Sequence, residues 1–258
     1  MNDFRRRSIS AIASAAVIAL LSGCSSGNAT APSTHKQLTA DKQLAQNAVL
    51  RAIDMPDGYK GSPHDNSAGN SIPKADAQKL ATCANVPEAD IESLLNGTSE
   101  AGAPTAEAPD FVKSTPRATV LQIMFQNNVA VERSSKDLTK SFDRFGAKSV
   151  MSCWTELFRS QVEAPGDPGE SVHGLTVKSL PISGVGDQSV AVEAKVVVDS
   201  AATRSAPATS EAVYLDLYLA RRGRAGIALL VSGVGGPASR ALEKSLLETV
   251  AGRLGAAG

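Results

Sequence analysis

"SEAVYLDLYLARRGRAGIALLVSG" runs from Ser210 to Gly233, and its reading decides the fold. In the first half, Val213, Leu215, Leu217 and Leu219 point one way, and Tyr214, Asp216 and Tyr218 point the other. A period of two is the signature of a strand with one apolar face. Arg221, Arg222, Gly223 and Arg224 interrupt it as a turn. From Ile227 to Val231 every residue is apolar, which fits a central strand covered on both faces. Two strands joined by so short a turn are antiparallel.

The pattern extends outward from this hairpin. Upstream, "DQSVAVEAKVVVDS" alternates at Val190, Val192, Ala194 and Val196, and "HGLTVKSLP" precedes it as another short strand. Further upstream "ATVLQIMFQ", Ala118 to Gln126, is rich in large and β-branched residues and reads as a strand. Downstream, Pro237 opens a helix whose stripe is Leu242, Leu246, Val250 and Leu254. Helical spacing also marks Thr39 to Pro56 (Leu44, Ala48 and Ile53), Lys74 to Thr82, and "PEADIESLL", which Asn96-Gly97 stops. "SSKDLTKSFDRFG" and "SVMSCWTELFRSQV" continue the helical period. Gly97 to Pro116 reads as a loop of Pro, Ala and Gly. These elements predict an α+β domain. It has an antiparallel sheet of about five strands, flanked by N-terminal helices and a C-terminal helix.

The N-terminus predicts an address. Arg5, Arg6 and Arg7 precede an uncharged run from Ile9 to Leu21, the pattern of an export signal. The run is shorter than the ~20 apolar residues that span a bilayer. It ends in Leu21-Ser22-Gly23-Cys24, which resembles a bacterial lipobox. That resemblance implies cleavage before Cys24 and a thioether-linked lipid on its sulfur. Residues 1–23 are then a lipoprotein signal peptide, 24–38 a flexible Ser/Thr/Pro/Ala tether, and 39–258 one globular domain. Two acyl chains suffice for stable anchoring on the extracytoplasmic side of the cell membrane. Cys83 and Cys153 remain. An oxidising compartment favours their pairing, which closes a loop of about 70 residues and stabilises by about 4 kcal/mol in the chain-entropy picture.

Composition narrows the function. Basic and acidic residues number 26 each, and without Arg5, Arg6, Arg7 and Asp3 the balance is 23 to 25. That gives no basic excess for a nucleic-acid partner. Aromatic residues make up only 4%, with one Trp, so few rings are on hand to stack on sugars. His35, His64 and His173 have no metal-ligand spacing. No G-x-S-x-G elbow occurs; Gly186 to Val190 lacks the closing Gly. Gly233, Gly235 and Ala238 fit G-x-G-x-x-A, but no later strand supplies the acid that a dinucleotide site needs, so this is a strand-to-helix turn. No metal, no cofactor and no catalytic residue is expected. Tyr214, Asp216 and Tyr218 form the candidate ligand face. The plainer reading of the two tyrosines is packing under a helix with their hydroxyls at its edge. Arg221, Arg222 and Arg224 suit either a solvated turn or anionic headgroups.

The order of parts carries a resemblance. A lipobox, a tether and a helix lead to the "DMPDGY" turn at Asp54 to Tyr59. Cys83, a strand, a helix bearing Cys153-Trp154 and a Gly186-Asp187 turn before a strand follow. In this the chain resembles the actinobacterial lipoproteins of the PsbP-like type and the related extracellular sensor domain of a mycobacterial serine/threonine kinase. The resemblance implies a non-catalytic envelope protein with a curved sheet and a ligand cleft. The function expected first is a lipid-anchored binding or sensor-like module that holds a lipid, a glycolipid or a partner protein between its sheet and helices. The alternatives are an envelope hydrolase and a structural or assembly lipoprotein.

Overall fold

The strand predicted to be central is central. β8 (Ala225–Val234) pairs along its whole length with β4 (Gln122–Val131) on one side and β7 (Thr209–Arg222) on the other. The computed structural model describes residues 35–63, 72–97, 103–115, 122–162, 170–202 and 207–255. Beyond β7 lie β6 (Gln188–Ser200) and the edge strand β5 (Glu170–Ser179), so β5 to β8 form a meander that returns to β4. Beyond β4 lie β3 (Asp110–Ser114) and β1 (Lys60–Ser62), while β2 (Thr105–Glu107) also pairs with β4. Every pairing is antiparallel.

The sheet therefore has eight strands, and the expected number of about five is corrected. β1, β2 and β3 are three to five residues long and lie in stretches rich in Gly, Pro and Ala. So short a strand has no readable period; pairing with a long neighbour makes it. β4 also runs on past the expected end at Gln126, through Asn127 and Asn128. Asn is a poor strand former, yet both amides are used. Asn127 accepts from the Leu50 N–H at 3.0 Å and donates to the Ala228 carbonyl at 2.9 Å. Asn128 donates to the Leu95 carbonyl at 3.1 Å.

Helices cover both faces. On one side lie α1 (His35–Ala48) and, at the C-terminal end, α6 (Arg240–Gly255). Ala45, Ala48, Leu246, Leu247, Val250 and Leu254 pack there on Phe125, Val129, Ile227, Leu229 and Val231. The other side carries α2 (Lys74–Ala84), α3 (Glu88–Leu95), α4 (Ser135–Phe145) and α5 (Met151–Val162). Leu80, Leu94, Phe142, Phe145, Trp154 and Leu157 meet Val192, Ala194, Leu217, Leu219 and Ala228 there. The odd and even residues of β8 thus enter different cores. That is why its apolar run is unbroken. Cys83 of α2 and Cys153 of α5 form a disulfide, with Cα atoms 5.8 Å apart. Among the described residues no helix is long and apolar enough to cross a membrane.

α1 starts at His35, four residues ahead of the expected N-cap Thr39, and stops at Ala48, well before Pro56. Its end is set from outside. Arg253 of α6 donates to the Val49 carbonyl at 2.9 Å and Arg51 to the Asn47 carbonyl at 2.6 Å, while Asn127 takes the Leu50 N–H. A 3-10 turn, Ala52–Asp54, follows. Ile53 is therefore not on the buried stripe; it is 88% exposed. A lone exposed apolar residue is ordinary on a protein surface.

Candidate functional site

Alternation along β7 puts Tyr214, Asp216 and Tyr218 on the face covered by α6, as the sequence reading has it. The register then adds something the sequence does not show. Asp216 lies directly opposite Glu193 of β6. Two like charges in such a cross-strand position repel. A third acid, Glu243, comes from the first turn of α6 and is fully buried.

One cation answers all three. Arg240, the first residue of α6, donates from Nη1 to Asp216 Oδ2 at 2.6 Å, to the Tyr218 hydroxyl at 2.8 Å and to Glu243 Oε2 at 3.1 Å. Its Nη2 reaches Asp216 Oδ1 at 3.2 Å and also bonds Glu193. Tyr218 in turn donates to Glu243 Oε2 at 2.5 Å. Lys178 of β5 pairs with the other oxygen of Glu193 at 2.7 Å. Lys195, opposite Tyr214, lies over its ring at 5.4 Å.

The energetics of this cluster follow from burial. Asp216 is 1% exposed, and desolvation, with Glu243 and Glu193 close by, pushes its pKa to about 7 against the hydrogen bonds from Arg240. Burial and the bond to Glu243 push the Tyr218 hydroxyl up, out of any neutral-pH role as a base. Burial also raises Tyr59, to which Glu243 adds its field. Oε1 of Glu243 is buried with no hydrogen-bond partner among the described residues. Arg240 sits at the end of a helix where a positive charge is unfavourable, and its carboxylate partners offset that.

α6 reaches this position through the Gly-rich turn after β8. A Cβ at Gly233 would stand 2.3 Å from the Gly236 carbonyl oxygen, and the N–H of Gly235 donates to the Ala212 carbonyl at 2.8 Å. The G-x-G-x-x-A pattern is thus a strand-to-helix turn, and its tight spacing is what seats Arg240 over β7.

The candidate ligand face is therefore covered. Tyr218 and Asp216 are buried, and Tyr214 is half-buried beside Lys195. Two open clefts lie elsewhere. One, of about 440 Å3, runs between Phe142 and Asp143 of α4 and Ile182, Gly184, Gln188 and Val190. The other, of about 460 Å3, is lined by Gln78, Thr82, Asn85 and Glu88 at the end of α2.

The hairpin tip is not a free basic patch. The N–H of Asp187 donates to the Arg221 carbonyl at 2.7 Å, and its carboxylate accepts from the Gly223 N–H at 2.8 Å and from Arg222 at 3.1 Å. Arg221 bonds Gln188 at 2.9 Å, and Arg224 forms a two-pronged pair with Asp41 of α1 at 2.8 and 3.2 Å. Gly186 makes the grip on the tip close: its φ is +62°, and a Cβ would stand 2.3 Å from the Arg221 carbonyl oxygen.

His173 and Ser210 both bond to Asp199, the imidazole at 2.9 Å, and these bonds lower the Asp199 pKa. A Ser-His-Asp triad needs the imidazole in the middle; here the carboxylate is in the middle. Among the described residues no group of three His, Cys, Asp or Glu side chains is placed to hold a metal ion. Cys24, the signal segment, His64 and most of the tether lie outside the described residues.

No protein-family model matches the chain, and neither a curated protein nor a solved structure does. What the chain does must be argued from the residues themselves. Sequence reading missed Arg240, Glu193 and Glu243. A signal for two of them exists: an arginine opens a helix where an acid belongs, and a glutamate stands four residues before Leu247, on the apolar stripe.

Proposed function

We propose that the chain is an exported, lipid-anchored envelope protein of the PsbP-like kind, acting as a non-catalytic binding module on the outer side of the cell membrane. The observation that carries the reading is cysteine usage. Cys83 and Cys153 are paired, so Cys24 is left over, at the end of a lipobox pattern. A structural disulfide persists in an oxidising compartment, and a third cysteine there needs a use of its own; thioether lipidation supplies one. The antiparallel sheet with helices on both faces agrees with the fold that the resemblance implies. His173, Asp199 and Ser210 are in the wrong order for a Ser-His-Asp triad. The binding surface in this reading is the open cleft between α4 and the turn before β6, because the tyrosine face is filled by α6.

Labelling cells with an alkyne analogue of palmitate tests the anchor. The wild-type chain takes up label and stays with membranes; Cys24→Ala takes up none and keeps its signal segment. Label retained by Cys24→Ala, or no label on the wild type, overturns the anchor. Native mass spectrometry of the protein from its own membranes tests the binding role. A co-purifying lipid or protein, lost when Val190 in the cleft is changed to Asp, supports it; the mass of the acylated chain with nothing bound overturns it.

A further inference from the structure

Five elements bring charge or a titratable group to the first turn of α6. They are Lys178 of β5, Glu193 and Lys195 of β6, Tyr214, Asp216 and Tyr218 of β7, Arg240 and Glu243 of α6 itself, and Tyr59 from the turn before β1. Lys195 lies over the Tyr214 ring. Lys178 is well exposed, so solvent screens its pull on Glu193. Three buried carboxylates then face one guanidinium, whose side chain is 39% exposed. Two of them, Asp216 and Glu243, have 1% and 0% of their surface exposed. Oε1 of Glu243 faces no donor. A buried carboxylate oxygen without a partner is costly, and an excess of buried negative charge is costlier.

We propose that the first turn of α6 is a proton-held clasp. With a proton on Asp216 the turn lies against the sheet; loss of that proton leaves the buried carboxylates in excess over Arg240 and frees the turn about Gly235 and Gly236. The raised pKa of Asp216 places the change near neutral pH. The rest of α6 stays down, because Leu246, Leu247, Val250 and Leu254 are buried in the core below it. What opens is the sheet surface around Tyr214, Asp216 and Tyr218. This clasp does not depend on lipidation or on any ligand.

The test is hydrogen exchange on the full chain in detergent, followed on peptides that cover residues 237–246 and corrected for the intrinsic effect of pH. Asp90 of α3, bonded by Ser141 of α4, and Glu132, bonded by Ser93 of α3, are both pushed up by burial, so the readout must be local to α6, with α5 peptides as the control. Protection at 237–246 falls at least ~10-fold between about pH 5.5 and about pH 8.5 in the wild type, a tenfold change being one pKa unit. In Asp216→Asn and in Glu243→Gln it stays at the low-pH level throughout. Constant wild-type protection, or the same fall in both variants, overturns the clasp. A carboxyl-carbon NMR titration of wild-type Asp216 needs no variant. A midpoint near neutrality supports the clasp, and one in the ordinary carboxylate range of about 4 overturns it.

Discussion

On one side of the sheet, α2 and α5 are tied by Cys83–Cys153 and packed with Phe142, Phe145 and Trp154. On the other, α1 and α6 rest on aliphatic contacts and on arginines that reach across to buried acids: Arg224 to Asp41, Arg253 to Asp54 and Arg240 to Asp216. The first layer is held by a covalent link and ring packing, neither of which responds to pH. The second depends on charge. The main ties of the first layer are thus insensitive to pH, although the buried carboxyls of Asp90 and Glu132 lie there, while the second layer rests chiefly on charge.

The largest expected effect bears on the fixed layer. Replacing both Cys83 and Cys153 by Ser frees a loop of about 70 residues and costs about 4 kcal/mol on the chain-entropy estimate. Urea titrations at two pH values read it. The loss should be the same at both; a pH-dependent loss would erase the contrast between layers. Next comes Arg240→Ala, which leaves buried acids without their cation and costs about 2 kcal/mol, less than a fully buried pair because solvent reaches the guanidinium. That loss should shrink in acid, where the carboxyls carry protons. For Asp216 the sign follows from linkage: its folded pKa of about 7 lies above the ordinary carboxylate value. The folded protein therefore holds a proton that the unfolded chain releases, and its share of stability is present in acid and lost as pH rises from about 4 through about 7.

Two smaller changes sharpen the picture of the first layer. Ser134 caps α4 by accepting from the Asp137 N–H at 3.3 Å, so Ser134→Ala costs about 1 kcal/mol by thermal unfolding. Trp154 is fully buried, and its indole N–H has no partner among the described residues. Trp154→Phe loses packing but also removes that stranded donor, so the net change stays within about 1 kcal/mol. A much larger loss would mean that the N–H is satisfied in solution by a bound water.

The two layers were unequally legible in the sequence. The long strands and the helices of the disulfide layer announce themselves by period: Leu138, Phe142 and Phe145, then Cys153, Trp154, Leu157 and Phe158, all face one core. α1 was misjudged at both ends, because Arg253 and Asn127, far along the chain, decide where it stops. β1 to β3 were illegible because three to five residues cannot show a period. In the charged layer, the two tyrosines and Asp216 were visible as a face. Glu193 could join them only through the β6–β7 register, and Arg240 only through the placement of α6. Ion pairs between distant segments leave no local trace.

The edge at β5 carries a further consequence. An outer strand offers unpaired N–H and C=O groups to any extended chain, including another copy of this one. β5 breaks its register with β6 between His173 and Thr176, where Gly174 adopts a φ of +68°, and it places the exposed Lys178 near its end. A kinked, charged border is a poor template for annealing. Crowded copies would slide past one another at this rim instead of zipping into fibrils.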